Sequence, residues 1–458
     1  MNPVRDFKVK TVLEYAVLSL LFFLPWQTVW IFREGTTGVP GTSLENVWQY
    51  GTMGVYLWDV IAIVCIALFF LLVTRRHDRD DIMFTIKKNK GSLLFVGVAL
   101  LFVGISLVWA QNRDIALYYA IRFLQGFLLF VIIQSLQVHW KKMALTLIAA
   151  GSIQACLAIG QFFIQEVPAS TLLGMAYHSP RVLGDAVVQT VDARWLRAYG
   201  SFPHPNILAY FLGIAFLCSA TLATRAEKKY EMVWLSVSTI LLLIGLFFTF
   251  SREVVLCLFI VLGISLLWKK REDRNTLYEG ISPTTLLVIM SCIIVATLSG
   301  VYREPVFARL GIGGLERLEK KSLQERVSSL EDGWKTIQHA PQGVGVGNST
   351  YALEARDRAD GVKKPWYAYQ PAHSHYLLIA AEIGVLGLLC FLAFLAHLAW
   401  KLLRRASSSI AFVLKQRLFL FAIFVGFFDH FFWTIPVGIV LWWIGMALSG
   451  VDNSSDVS

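Results

Sequence analysis

Four short segments hold the residues able to do chemistry. Arg197 opens Arg-Ala-Tyr-Gly-Ser-Phe-Pro-His-Pro-Asn, a rigid turn in which Pro205 can start a helix. The free amides of that helix start and the Arg197 guanidinium would point at one place, a natural anion site, with His204 and Asn206 as further binding candidates. A surface arginine beside a well-capped helix is the plain alternative. Arg252 lies in Phe-Thr-Phe-Ser-Arg-Glu, a tight turn between two apolar blocks. Its planar fork suits phosphate oxygens, although an interface arginine paired with Glu253 fits the same pattern. His373 and His375 stand at the start of another apolar block, where a neutral imidazole can act as a general base. Glu382 follows His375 by seven residues, on the same helical face two turns deeper, positioned to satisfy a polar partner inside a bundle.

Other polar features have simpler readings. Gly343-Val-Gly-Val-Gly-Asn348 has neither a preceding strand nor a Gly-Lys-Ser/Thr, so it reads as a turn permitting close backbone approach and not as a nucleotide loop. Asp59 and Arg122 read as a structural ion pair, and Asp429-His430 as stabilising a helix break. Two histidines two apart share no helix face and no third ligand is evident, so no metal site is expected.

The elements that must position these groups are set by composition. Of 458 residues 56% are hydrophobic and 16% charged, far from the ~25% charged of a soluble domain. Apolar blocks fall at 11–32, 55–74, 91–110, 115–137, 143–165, 205–223, 232–250, 253–268, 281–300 and 375–400. A final run, 418–450, is long enough for two short spans and is interrupted by Asp429, His430 and Pro436. The expected fold is an all-α membrane protein of about twelve transmembrane helices in one integral domain, 1–458, with a long outward loop between helices 9 and 10. Lys and Arg number 23 in the short segments on one side and 6 on the other, which puts both termini in the cytoplasm. The two long segments, 166–204 and 301–374, then face outward with every chemistry-bearing group. Within the second, Leu323, Val327, Leu330, Trp334 and Ile337 follow helical spacing, an amphipathic helix stopped by Pro341 that lies on the outer leaflet or caps the bundle. The net charge of +10 resides mostly in topology-setting loops, so no nucleic-acid partner is expected. The six cysteines lie inside apolar blocks and have no zinc-ligand spacing.

Taken together, these segments resemble the O-antigen ligase and polymerase family of bacterial membrane glycosyltransferases, which includes protein O-oligosaccharyltransferases. The resemblance rests on Arg197-Ala-x-Gly200 running into Pro205-Asn206 and Ala209, on Ser251-Arg252, and on Arg326 through Trp334 to Pro341. It continues through Gly343-Val-Gly-x-Gly-Asn348 and His373-x3-Leu377-x4-Glu382-x-Gly384-x2-Gly387. Where the family has His-Asn, this chain has His373-Ser374 followed by His375; His373 aligns with the family position, and His375 is the alternative base. The resemblance implies transfer of a glycan from an undecaprenyl-pyrophosphate carrier to a glycan or lipid acceptor on the outer face of the inner membrane, whose lipids surround the spans. His373, Arg197 and Arg252 are then the catalytic candidates, and Arg326, His204, Asn206, His375 and Glu382 the binding candidates. With arginines stabilising the pyrophosphate, no metal or cofactor is required. The competing class is a transporter or flippase of the same lipid-linked glycans, for which interrupted spans and mid-membrane charges would speak. Ligase, polymerase and protein glycosyltransferase are not separable from these motifs.

Overall fold

The computed structural model describes residues 3–37, 46–136, 139–224, 226–272, 283–312, 317–362, 364, 368–404 and 409–450. Helix α1 (Pro3–Phe23) is followed by strands β1 (Val29–Arg33), β2 (Thr36–Thr37), β3 (Asn46–Val47) and β4 (Met53–Tyr56). Helices α2 (Leu57–Val73), α3 (Arg76–Lys88), α4 (Lys90–Ser106), α5 (Arg113–Leu136) and α6 (Trp140–Ile164) come next, then a hairpin of β5 (Val187–Gln189) and β6 (Arg194–Leu196). After it run α7 (Pro205–Ala223), α8 (Lys229–Phe248), α9 (Arg252–Glu272), α10 (Pro283–Val301), α11 (Arg303–Leu310), α12 (Arg317–His339) and α13 (Ser349–Ala359). The chain ends in α14 (His375–Arg404), α15 (Ile410–Phe428), the single turn α16 (Phe431–Thr434) and α17 (Pro436–Gly450).

Among the described residues six helices are long and apolar enough to cross a membrane: α5, α6, α7, α8, α14 and α15. A seventh span is counted if α10 and α11, bent by 98°, are one unit, and α2, α4 and α17 are shorter apolar helices. The protein is a helical membrane protein, with three two-stranded sheets among the described residues. Helix α7 is its centre, with all but its last residue buried, packed among α6, α8, α9 and α15. Lipid is as apolar as leucine, so helices there associate through close packing. A Cβ at Gly245 of α8 would come within 2.8 Å of Ala155 of α6, the kind of approach only small residues allow.

Two local expectations need correction. The first apolar block does not continue to residue 32 as helix: α1 stops at Phe23, Pro25 offers no amide to extend it, and Gln27 donates to the Leu24 carbonyl at 3.0 Å. Val29–Arg33 instead pairs antiparallel with Met53–Tyr56, with an irregularity between Ile31 and Arg33. Segment 301–374 is not one loop with a single helix but carries α11, α12 and α13. On α12 the side bearing Ser329 and Ile337 is buried, whereas Leu323, Val327, Leu330 and Trp334 are exposed.

The Gly343 segment and the break in α14 explain each other. Gly384 has φ +84° inside α14, which interrupts the helix ladder. The Pro341–Gly345 stretch fills the gap: Val344 N–H donates to Ala381 O (3.0 Å), Gly345 N–H to Glu382 O (2.9 Å) and Val385 N–H to Pro341 O (3.0 Å). A Cβ on Gly384 would sit 2.6 Å from the Gln342 carbonyl, and one on Gly343 (φ +91°) would sit 2.3 Å from the Glu382 oxygen. Gly384→Ala therefore combines a backbone strain of about 1–3 kcal/mol with a steric clash against main chain. The expected result is a clearly lower melting temperature in detergent and loss of activity; a melt indistinguishable from wild type contradicts this account of the break.

Candidate active site

The turn between α8 and α9 aims backbone at two arginines. Phe250 takes the left-handed conformation (φ +49°), unusual for a side chain of this size. Thr249 O accepts from Arg197 Nε at 2.7 Å, and Phe250 O accepts from Arg309 Nε at 3.1 Å. Arg197 Nη2 also donates to Asn206 Oδ1 (2.6 Å) and Ser251 Oγ (2.9 Å). Ser251 in turn donates to Asn206 Oδ1 at 2.8 Å. Arg197 is 5% exposed, and no carboxylate pairs with it among the described residues. Burial, then the charge of Arg309, lowers its pKa to about 9, which leaves it a cation at neutral pH.

Three further arginines complete the cluster. Arg309 and Arg252 share Glu319 at 2.6 and 3.0 Å, and Arg252 also donates to Arg309 O. Arg326 of α12 pairs with Glu253 of α9. Four arginines thus face two glutamates, and the member without a carboxylate, Arg197, is buried. An uncompensated buried cation is costly, so the arrangement suits an anion that arrives from outside.

Asn206 joins this cluster to a second one. Its Nδ2 donates to Asp429 Oδ2 at 2.7 Å, and His430 N–H donates to Asp429 Oδ1 at 2.7 Å. The His430 ring lies edge-on to that of His373, with centroids 5.0 Å apart, and also edge-on to Tyr50 at 5.8 Å. Burial would raise the Asp429 pKa, but His430, His373, His204 and the Asn206 hydrogen bond outweigh it and hold the carboxyl below its usual range. Burial, then His430, pushes the His373 imidazole down to about 4, so it is neutral at pH 7.

Ser329 Oγ lies 2.9 Å from Arg326 O and 3.0 Å from His373 Nδ1, and it accepts from the His373 backbone N–H at 3.3 Å. This contact fastens one edge of the imidazole. The opposite ring nitrogen, Nε2, has no hydrogen-bond partner among the described residues.

The candidates named from sequence separate into groups. Arg197, Asn206, Arg252, Arg326 and His373 come together, with His204 exposed at the helix start, its Nδ1 accepting from Asn206 N–H at 3.1 Å. His375 turns the other way, 1% exposed, into a box of Phe391, Phe432, Trp433 and Trp442. Glu382 accepts from Gly347 N–H (2.6 Å), Ser349 N–H (3.3 Å), Ser349 Oγ (2.7 Å) and Trp433 Nε1 (2.6 Å). It clamps the glycine segment and does not face His373. Arg122 and Asp59 form a buried ion pair, completed by Gln125 and Tyr118. Arg309, Ser329, Tyr50, Asp429 and His430 join the site without having been placed there from sequence. Only the last two carried a signal, as an ionisable pair in a broken apolar run.

Four guanidinium groups and two imidazoles are thus gathered in one helical bundle. Residues 237–392 match the family model described as O-antigen ligase. The match includes Arg252, Arg309, Arg326, His373 and Glu382 and leaves Arg197, Asn206 and Asp429 outside. No curated protein matches the chain.

Proposed function

We propose that this protein transfers a glycan from an undecaprenyl-pyrophosphate carrier to an envelope acceptor, a lipid A core or a growing polysaccharide, on the outer face of the plasma membrane. The observation that carries the reading is the buried, carboxylate-free Arg197 within a cluster of four arginines and two glutamates, joined through Asn206 and Asp429 to the His430–His373 pair. The step breaks the bond between the anomeric carbon and the pyrophosphate oxygen. It forms a bond from that carbon to the acceptor oxygen, whose proton passes to His373 Nε2. The departing lipid pyrophosphate gains negative charge, which Arg197 and its neighbours stabilise. Arginine takes the place of a metal in this scheme.

The test is product formation by purified protein in nanodiscs with lipid-linked glycan and candidate acceptors, with EDTA present throughout. Glycosylated acceptor and released lipid pyrophosphate are expected; full loss in EDTA, restored by magnesium, overturns metal independence. The flippase reading is favoured by one observation, the helix breaks at Gly384 and at Asp429–Ile435. It predicts movement of intact lipid-linked glycan across the bilayer with no new glycosidic bond.

The orientation belongs to the same proposal: both termini cytoplasmic, with 166–204 and 301–374 outside. A cysteine replacing exposed Ser328 of α12 is expected to react with an impermeant thiol reagent in intact spheroplasts. Labelling only after lysis puts the cluster on the cytoplasmic side and overturns the assignment.

A further inference from the structure

An open cleft of about 500 Å³ lies at the start of α5, lined by Gln111, Asn112, Arg113, Asp114 and Tyr351. Planar amide, carboxylate and guanidinium groups around one aromatic ring can pair with sugar hydroxyls along one edge and pack on the pyranose face at the other. Gln111 and Arg113 are exposed, and neither has a hydrogen-bond or ion-pair partner among the described residues. The walls are fixed rather than loose. Asn112 N–H donates to Asn348 Oδ1 (2.7 Å) and Asn348 Nδ2 to Asn112 O (3.2 Å), tying the cleft to the glycine segment that Glu382 clamps. Arg33 pairs with Asp114 from the β1 side.

The cleft sits at the far end of a continuous series of contacts. Tyr351 packs edge-on to Trp48 (4.8 Å), Trp48 to Tyr50 (5.9 Å), Tyr50 to His430 (5.8 Å) and His430 to His373 (5.0 Å). The opposite end runs from His430 through Asp429 and Asn206 to Arg197. The contacts thus run from the arginine cluster through the imidazoles to the cleft. In a single displacement at a sugar carbon the activated nucleophile attacks the face opposite the leaving group. With the pyrophosphate at the arginines, the remaining side belongs to the incoming hydroxyl.

We infer that the Gln111–Asp114/Tyr351 cleft binds the glycan of the acceptor, holding it so that its terminal hydroxyl reaches His373. This rests on the transferase reading above. It assigns these residues to acceptor affinity, with no part in the chemical step.

The test uses the full chain in nanodiscs and, as probe, a lipid-free oligosaccharide released by mild acid from the envelope of the producing cells. Saturation-transfer NMR without donor reads binding alone. Gln111→Ala with Arg113→Ala should reduce the transfer signal, and in kinetics should raise the acceptor KM about 2- to 10-fold, the scale of one or two lost hydrogen bonds. Donor KM and kcat should stay at wild-type values. Tyr351→Phe keeps the packing on Trp48 and should give a smaller rise, and Tyr351→Ala a larger one. A raised donor KM with unchanged acceptor KM overturns the acceptor assignment, because the cleft would then hold the donor's glycan. Wild-type NMR signal in the double variant overturns the cleft as a glycan site. Failure of the transferase reading looks different: wild-type protein would form no product at all.

Discussion

Arg197→Ala should lower glycan transfer about 100- to 1000-fold, the usual cost of removing a group that stabilises developing charge. The variant should still insert and remain monodisperse. Asn206 keeps its bonds to Ser251 and Asp429 when the guanidinium is gone, so the surrounding network persists. Arg197→Lys should recover only part of the rate, because one ammonium cannot bridge Thr249 O, Asn206 and Ser251 while also facing a phosphate. Arg252→Ala should be milder. Arg252 is half-buried and already engaged by Glu319 and the Arg309 carbonyl, and Arg309 would keep Glu319 paired after its removal. The sequence places Arg197 and Arg252 in equal roles, and the difference between a carboxylate-free and a paired arginine separates them. Near-normal turnover of Arg197→Ala would return Arg197 to a role in holding the α8–α9 turn.

What could be read before the fold was known follows physical range. The helical membrane character was legible, though six helices and not twelve are long and apolar enough to span among the described residues. Breaks were legible because they depend on Pro, Gly and charge within apolar runs: the interruption expected in 418–450 is the α15–α16–α17 break. The separation of His373 from His375 was expected from helical spacing, but in the structure it arises because His373 sits in the bend before α14 and His375 is the first residue of that helix. Glu382 was legible as a carboxylate satisfied within the bundle. The β1–β4 hairpin was not, because its first strand continues an apolar run and its partner lies some twenty residues on. Arg309 was one charge among many in 301–374, and only the 98° bend between α10 and α11 brings that helix round toward Glu319. Tyr50 reaches His430 across the whole sequence, a contact no local pattern encodes. Asp429-His430 was visible as a polar break, but its role depends on Asn206 and His373, which arrive from other helices.

His373→Ala should lose about 100-fold or more in rate, the scale for a positioned base, without weakening donor binding. The pH profile is the sharper measurement. An unperturbed imidazole would give activity rising through pH 6–7, as the sequence alone suggests. Burial, and then His430, holds His373 at about 4 instead. The base acts in its neutral form, and the protonated fraction falls as pH rises through the folded pKa. Activity should therefore climb through about pH 4 and run flat between 6 and 8, provided the protein stays folded across that range. A midpoint between 6 and 7 would mean that the imidazole is hydrated in the working enzyme. Ser329→Ala removes the hydroxyl that fastens the His373 ring at Nδ1 and should lower kcat with little change in either KM. His375→Ala removes a ring from the Phe391–Phe432–Trp442 box, so its cost should appear in the thermal melt and leave the pH profile unchanged. Should His375→Ala be the inactive variant and His373→Ala the active one, the base is His375 and the Ser329 contact serves only to fasten α12 to the start of α14.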